Sequence, residues 1–197
     1  MTGISRGPWS RASWLWLAVV ACGGRTPPAP TSPDAPTPAR IIPLGEAIVL
    51  ESVGPPAADT SVTFVAGERR AIVLRHGPPE NIVFAELWFL PESFGPDSGR
   101  PVRVDVRPRP GVYGVDVASS LPIRSGAYLV FKYARFFSAP ARARTVYGND
   151  VIYERALAIG RLRPDSLLAL LPSVRPASDM LRAPLPASGS YIVAAPQ

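Results

Sequence analysis

The chain has 197 residues, a formal charge of +6, one cysteine, one histidine and 25 prolines. A lone Cys excludes a disulfide within the chain, and one His beside one Cys falls short of the several ligands of a zinc site. The basicity is almost all arginine, with Lys132 the single lysine, and it is spread among acids. Such a distribution lacks the basic stripe of a nucleic-acid-binding protein, and no cofactor is expected.

The first feature in chain order is the run Trp14–Cys22. Arg6 and Arg11 precede it, no acid appears before Asp34, and eight apolar residues from Trp14 to Ala21 end at the only cysteine. A basic n-region followed by an apolar stretch of roughly 7–15 residues is the pattern of a secretory signal. Eight residues of helix rise about 12 Å, far short of a hydrocarbon core roughly 30 Å thick, so the run is no spanning helix.

Val19-Val20-Ala21-Cys22 resembles the lipobox of bacterial lipoproteins, with an aliphatic residue three before the Cys and a small one just before it. The resemblance implies that residues 1–21 are a signal peptide cut before Cys22. It also implies a diacylglyceryl group on the Cys22 thiol and a fatty acyl chain such as palmitate on the new amino terminus. One acyl chain binds a membrane only marginally, at about 0.8 kcal/mol per buried methylene, so several chains are needed for durable anchoring. Gly23 and Gly24 follow with no Asp beside the Cys, which by the same resemblance implies the outer membrane, facing the periplasm or the cell surface.

Loss of residues 1–21 removes two arginines and lowers the formal charge from +6 to +4. Residues 23–39 hold six prolines and almost no bulky apolar side chain. Such a composition cannot bury enough surface to order itself, so 22–39 is expected to be a lipidated Cys followed by a partly extended tether. Its full reach would be roughly 50 Å at about 3.1 Å per residue.

Residues 40–197 are expected to be one domain, long enough to live on its own core. Short apolar runs broken by Gly and Pro predict strands at Ala47–Leu50, Val62–Val65 and Arg70–Leu74. Asn81–Leu90 is apolar on both alternating faces except at Glu86, the pattern of a strand buried from two sides. Pro101–Arg107 alternates, with Val102, Val104 and Val106 on one face and Arg103, Asp105 and Arg107 on the other. Val112–Val117, Ala127–Tyr133 and Tyr153–Leu162 follow as strands. Ser166–Leu171 is either a helical turn or two capped by Asp165 or, between Pro164 and Pro172, a short strand, and the strand is the better reading. Asp179–Ala183 and Tyr191–Ala195 close the chain. Strands at this spacing predict an all-β fold, a single antiparallel β-sandwich.

The order of signals from Glu80 onward resembles the ZU-type β-sandwich of ankyrins and netrin receptors, an immunoglobulin-like architecture. The resembling stretches are Glu86-Leu-Trp-Phe-Leu-Pro-Glu-Ser-Phe, Val102–Val106, Tyr113-Gly-Val-Asp-Val and Ala127-Tyr-Leu-Val-Phe-Lys-Tyr. The tail from Leu157-Ala-Ile-Gly-Arg-Leu to Ser190-Tyr-Ile-Val-Ala resembles the closing strands of that family. Some relatives cleave themselves at a His-Phe-Ser site. Here Ser188-Gly189-Ser190 stands in its place, without a base to activate Ser190, so no autoproteolysis is expected.

His76 stands in Arg75-His76-Gly77-Pro78-Pro79 and reads as a surface or turn histidine. No G-x-S-x-G or S-x-x-K motif supplies a nucleophile for it. No D-x-D-x-D calcium loop occurs, and Glu80, Glu86 and Glu92 show no spacing that argues for a glycosidase pair. The stretch that stands out is Ala134–Ile152, read as a long loop. It combines Phe136, Phe137 and Tyr147 with Arg135, Arg142 and Arg144, a surface able to grip a polyanion, a sugar ring or a partner's edge. The competing reading has both Phe side chains closing the end of the sandwich and the arginines in water.

Together these features predict a membrane-anchored envelope lipoprotein with a non-enzymatic binding or structural module. Its partners would be the membrane, through the N-terminal lipid, and an envelope protein or glycan, with no nucleic acid and no metal. The alternatives are a glycan-active or hydrolytic envelope enzyme and a scaffold subunit of an envelope complex.

Overall fold

Short β-branched and aromatic runs, each stopped by Pro or Gly, fold as strands because their side chains fit a pleated, half-buried surface. A computed structural model describes residues 39–197. The expected signal 1–21, Cys22 and the tether up to residue 38 lie outside the described residues.

The strands come in chain order as β1 (Arg40–Pro43), β2 (Ala47–Val49), β3 (Glu51–Ser52), β4 (Thr60–Val65), β5 (Arg70–Arg75) and β6 (Val83–Phe89). β7 (Pro101–Pro108), β8 (Gly114–Ser119), β9 (Tyr128–Lys132) and β10 (Phe137–Ser138) follow. Two short helices, α1 (Ala141–Tyr147) and α2 (Asp150–Ala156), precede β11 (Ala158–Arg163), β12 (Leu167–Leu170), β13 (Met180–Pro184) and β14 (Gly189–Pro196). The fold is therefore mostly β with helices added, and not all-β as expected.

The larger sheet runs β1-β12-β11-β14-β8-β7-β4, with β2 also on β14, and the smaller runs β13-β9-β6-β5; every pairing is antiparallel. One hydrophobic cluster joins the two. Val102, Val104 and Val106 of β7 meet Leu87 and Phe89 of β6 and Leu129 and Phe131 of β9 in it. The alternation read in Pro101–Arg107 is realised, since those three valines are fully buried while Arg103 and Arg107 are exposed.

A second, smaller core fills the opposite side of the large sheet, where Ile42, Leu168, Leu170, Ile192 and Ala194 pack together. β1 and β2 are joined by the 3-10 turn Leu44–Glu46 and flank the β12-β11-β14 block from its two sides. They curl the sheet around this cluster. β14 lies between the two cores, with Tyr191, Val193 and Ala195 in one and Ile192 and Ala194 in the other. Close packing there demands glycine at two neighbouring positions. A Cβ on Gly160 would stand 2.6 Å from a Leu168 methyl, and one on Gly114 2.9 Å from the Tyr191 carbonyl oxygen.

Three expectations need correction. β6 is not buried from both sides. Glu86 and Trp88 are half-buried on the outer face of the small sheet, where Glu86 pairs with Lys132 at 2.8 Å and Trp88 stacks beside Tyr128. The two-sided strand is β14. Burial works against the Glu86 charge, but hydrogen bonds from Lys132 and Trp88 and the nearby Lys132 and Arg75 charges outweigh it and hold the carboxyl below its ordinary value. Tyr153–Leu162 is not one strand, because its first residues finish α2 and the strand begins at Ala158. Ala134–Ile152 is not a long loop but a 3-10 turn, the short strand β10 and the first helix and a half.

The helices start and stop for local reasons. Gly148 adopts the left-handed conformation that ends α1, and the Asn149 side chain accepts from the Ile152 N–H at 2.9 Å to cap α2. Seven-residue helices are marginal alone. These are held by Ala143 and Tyr153, the buried side chains of each, which join the main core.

Candidate functional site

The expected aromatic and guanidinium surface does not form as one site. Phe136, Phe137 and Tyr147 turn toward the core, and Arg142 and Arg144 point to solvent. The Phe137 ring lies 6.0 Å from Tyr133 and 6.3 Å from Tyr153, and Tyr147 lies 5.7 Å from Tyr153. The Tyr147 hydroxyl donates to the Pro196 carbonyl. Arg142 donates to the Gly45 carbonyl at 3.0 Å, and Arg144 pairs with Asp150 at 3.1 Å. Cys22 lies outside the described residues.

His76 departs furthest from its expected place. It is 2 % exposed, not on the surface. It follows β5, and the small sheet turns it beneath Phe136, whose ring centroid is 4.7 Å away, with Phe84 at 5.1 Å and Tyr113 at 6.3 Å, all edge-to-face. Its Nδ1 lies 2.7 Å from the Pro55 carbonyl oxygen. A carbonyl can only accept, so Nδ1 carries a proton and donates. The ring's Nε2 is buried and has no partner among the described residues. An unsatisfied buried polar atom costs about 1–3 kcal/mol, so burying this nitrogen carries an energetic cost.

The imidazole stands in the wall of a cleft of about 400 Å³. One side of the cleft is the segment Ser52–Asp59 after β3, and the other is the Pro108–Val112 turn between β7 and β8. Pro55, Pro56, Pro108 and Pro110 make its walls stiff, and Phe84 closes its base while lying parallel to Tyr113 at 5.3 Å. The polar side chains at hand are Ser52, Asp59 and Arg109. Arg109 is held by Asp116 at 2.9 Å.

The cleft brings together one imidazole, one carboxylate and one guanidinium, those of His76, Asp59 and Arg109. The Pro55 carbonyl occupies the Nδ1 position that an orienting carboxylate holds in a Ser-His-acid relay. Asp59 is the one carboxylate lining the cleft, whereas glycoside hydrolysis uses two. Of the other acids considered earlier, Glu80 pairs with Arg135 at 3.3 Å and Glu86 with Lys132, while Glu92 is exposed. Ser190 sits in regular register opposite Asp116. Among the described residues no group of three or more His, Cys, Asp or Glu is placed to hold a metal ion.

A polar network beside the helices was also not anticipated. The Tyr133 hydroxyl donates to Glu154 Oε1 at 3.0 Å and receives Arg175 Nη1 at 2.5 Å. Arg175 Nη2 donates to the Glu154 and Leu157 carbonyls, capping the end of α2. Burial raises the Tyr133 pKa to about 12; the Arg175 charge opposes the rise and the Glu154 hydrogen bond adds to it. The only sequence signals for the cleft were the Gly54-Pro-Pro and Pro108-Arg-Pro-Gly111 turns. They mark bends without saying that the bends face each other.

No protein family, curated protein or solved structure matches this chain in comparisons of sequence and fold.

Proposed function

We propose that the chain is a lipid-anchored protein of the bacterial cell envelope, cut before Cys22, whose β-rich domain is a non-enzymatic binding module. The observation that carries the binding role is the proline-walled cleft with an unsatisfied imidazole nitrogen beside it. The lipobox, the sole Cys and the Pro-rich segment after it support the anchor and a place at the outer membrane. We read the two sheets as one immunoglobulin-like β-sandwich, supported by the single core they share. The ZU-type likeness rests on the order of motifs from Glu80 onward. The alternative of a scaffold subunit has support in the half-exposed aliphatic side chains of α1 and α2.

A photo-crosslinking residue at Pro110, on the cleft, tests the binding role in cells, with the same residue at exposed Thr63 as control. A discrete adduct from Pro110 and none from Thr63 is expected; no adduct from Pro110 would count against a binding cleft. Radiolabelled palmitate should enter the wild type and not Cys22→Ser, and equal labelling of both would remove the anchor.

A further inference from the structure

The solvent side of α1 and α2 combines exposed aliphatic side chains with guanidinium groups. Val146, Val151 and Ile152 flank the Gly148-Asn149 corner and are 45 %, 56 % and 49 % exposed. Arg142, Arg144 and Arg155 are exposed on the same two helices, with Arg144 paired to Asp150. Aliphatic side chains left in water beside guanidinium groups are the composition of a surface that meets an anionic bilayer at its headgroups.

The position of this corner says which surface it would meet. Arg142 of α1 is bonded to Gly45, in the turn that joins β1 to β2, and the Gln197 side chain donates to the same carbonyl at 3.1 Å. The Tyr147 hydroxyl at the end of α1 donates to the Pro196 carbonyl, and Pro196 pairs with Ala47, the residue that follows that turn. The helical layer therefore adjoins the turn that follows β1, the strand with which the described domain begins. Seventeen residues lie between Cys22 and Arg40, a reach of roughly 50 Å in polyproline form. A surface kept so close to a bilayer needs little affinity of its own, because tethering raises its effective concentration.

We infer that the α1–α2 corner, through Val146, Val151, Ile152 and the arginines beside them, rests on the anionic bilayer that holds the acylated Cys22. This orients the domain as well as anchoring it, and it rests on the lipoprotein reading above. The surface is distinct from the His76 cleft, which is formed by the 52–59 and 108–112 segments.

The test uses the mature lipidated protein, purified from membranes and reconstituted in vesicles of phosphatidylethanolamine and phosphatidylglycerol at three to one. Flotation with the vesicles reports the anchor, and amide hydrogen exchange over residues 144–156 reports the corner. Exchange at least fivefold slower on these vesicles than in detergent micelles is expected, with a smaller effect on phosphatidylcholine. Val151→Glu/Ile152→Glu should abolish the protection while flotation is unchanged. Both positions are exposed, so thermal melts matching the wild type are expected. Protein that floats without protection at 144–156 overturns the inference and leaves the anchor standing, as does protection that survives the double substitution. Protein that does not float removes the anchor and the inference with it. Loss of a protein crosslink in the double variant, with vesicle protection intact, would assign the corner to a protein partner and overturn the inference as well.

Discussion

Arg175→Met tests whether one side chain fastens α2 to the sheets. The guanidinium makes a 2.5 Å bond to the Tyr133 hydroxyl and caps the Glu154 and Leu157 carbonyls. Met keeps most of the side-chain volume and removes every donor. Hydrogen bonds involving a charged group contribute about 1.5–3 kcal/mol each, but these share one half-buried side chain and do not add, so the expected loss is about 3 kcal/mol. For a domain of this size that corresponds to a fall of about 6–12 °C in melting temperature. Urea unfolding followed by circular dichroism measures the loss, and a cycle with Tyr133→Phe isolates the shared bond, with an expected coupling of about 1–2 kcal/mol. Exchange of the 150–156 amides should quicken before global unfolding, because α2 loses its C-terminal partners. A loss below about 0.5 kcal/mol, or no coupling to Tyr133, would show that Tyr153 and the core hold α2 without this network.

Val104→Ala, in the middle of β7 and fully buried, should cost about 2–3 kcal/mol, whereas Arg103→Ala one residue away should cost less than about 1; urea midpoints give both values. Gly160→Ala should cost about 1–3 kcal/mol, because its Cβ would press on the Leu168 side chain, and the same substitution should cost less in a Leu168→Ala background, as read from thermal melts of the double-mutant cycle. At alkaline pH the buried tyrosines set the limit. Burial raises Tyr113 to about 12, partly offset by its Ser52 hydrogen bond, and Tyr133 also to about 12. The folded state thus holds these protons more tightly than the unfolded chain, whose tyrosines titrate near 10, so their contribution is intact below pH about 10 and is lost as the pH rises toward 12. The urea midpoint should fall across that window, and Tyr133→Phe should flatten the fall.

Much of the fold was legible because its signals are local. The side-chain period of two is written into Pro101–Arg107 and into the alternation of Leu129 and Phe131 with Tyr128 and Lys132, and turn residues stand where strands stop. The helix signals of 141–156 were also present, in Gly148 as a stop and Asn149 as a cap. They flank segments of two turns, too short for a 3.6 period to show, and Ala134–Ile152 therefore reads as a loop. Apolar residues at both parities mean two-sided burial only where both sides are covered. β14 has a core on each face, while β6 meets solvent beyond Glu86 and Trp88.

The candidate site divides along the same line. By itself the sequence determined the identity of the groups: a sole Cys after Val-Val-Ala, a sole His between strands, aromatics and arginines in one stretch. Tertiary structure decided what those groups face. His76 is buried because the Pro55 carbonyl, 21 residues earlier, accepts a hydrogen bond from its Nδ1 and Phe136, far along the chain, lies against its ring. The aromatics of 136–147 go inward and the arginines outward because the core lies on one side of the helices and water on the other. Burial depends on which distant segments are brought together, and no local pattern around residue 76 encodes the approach of residues 52–59 and 136.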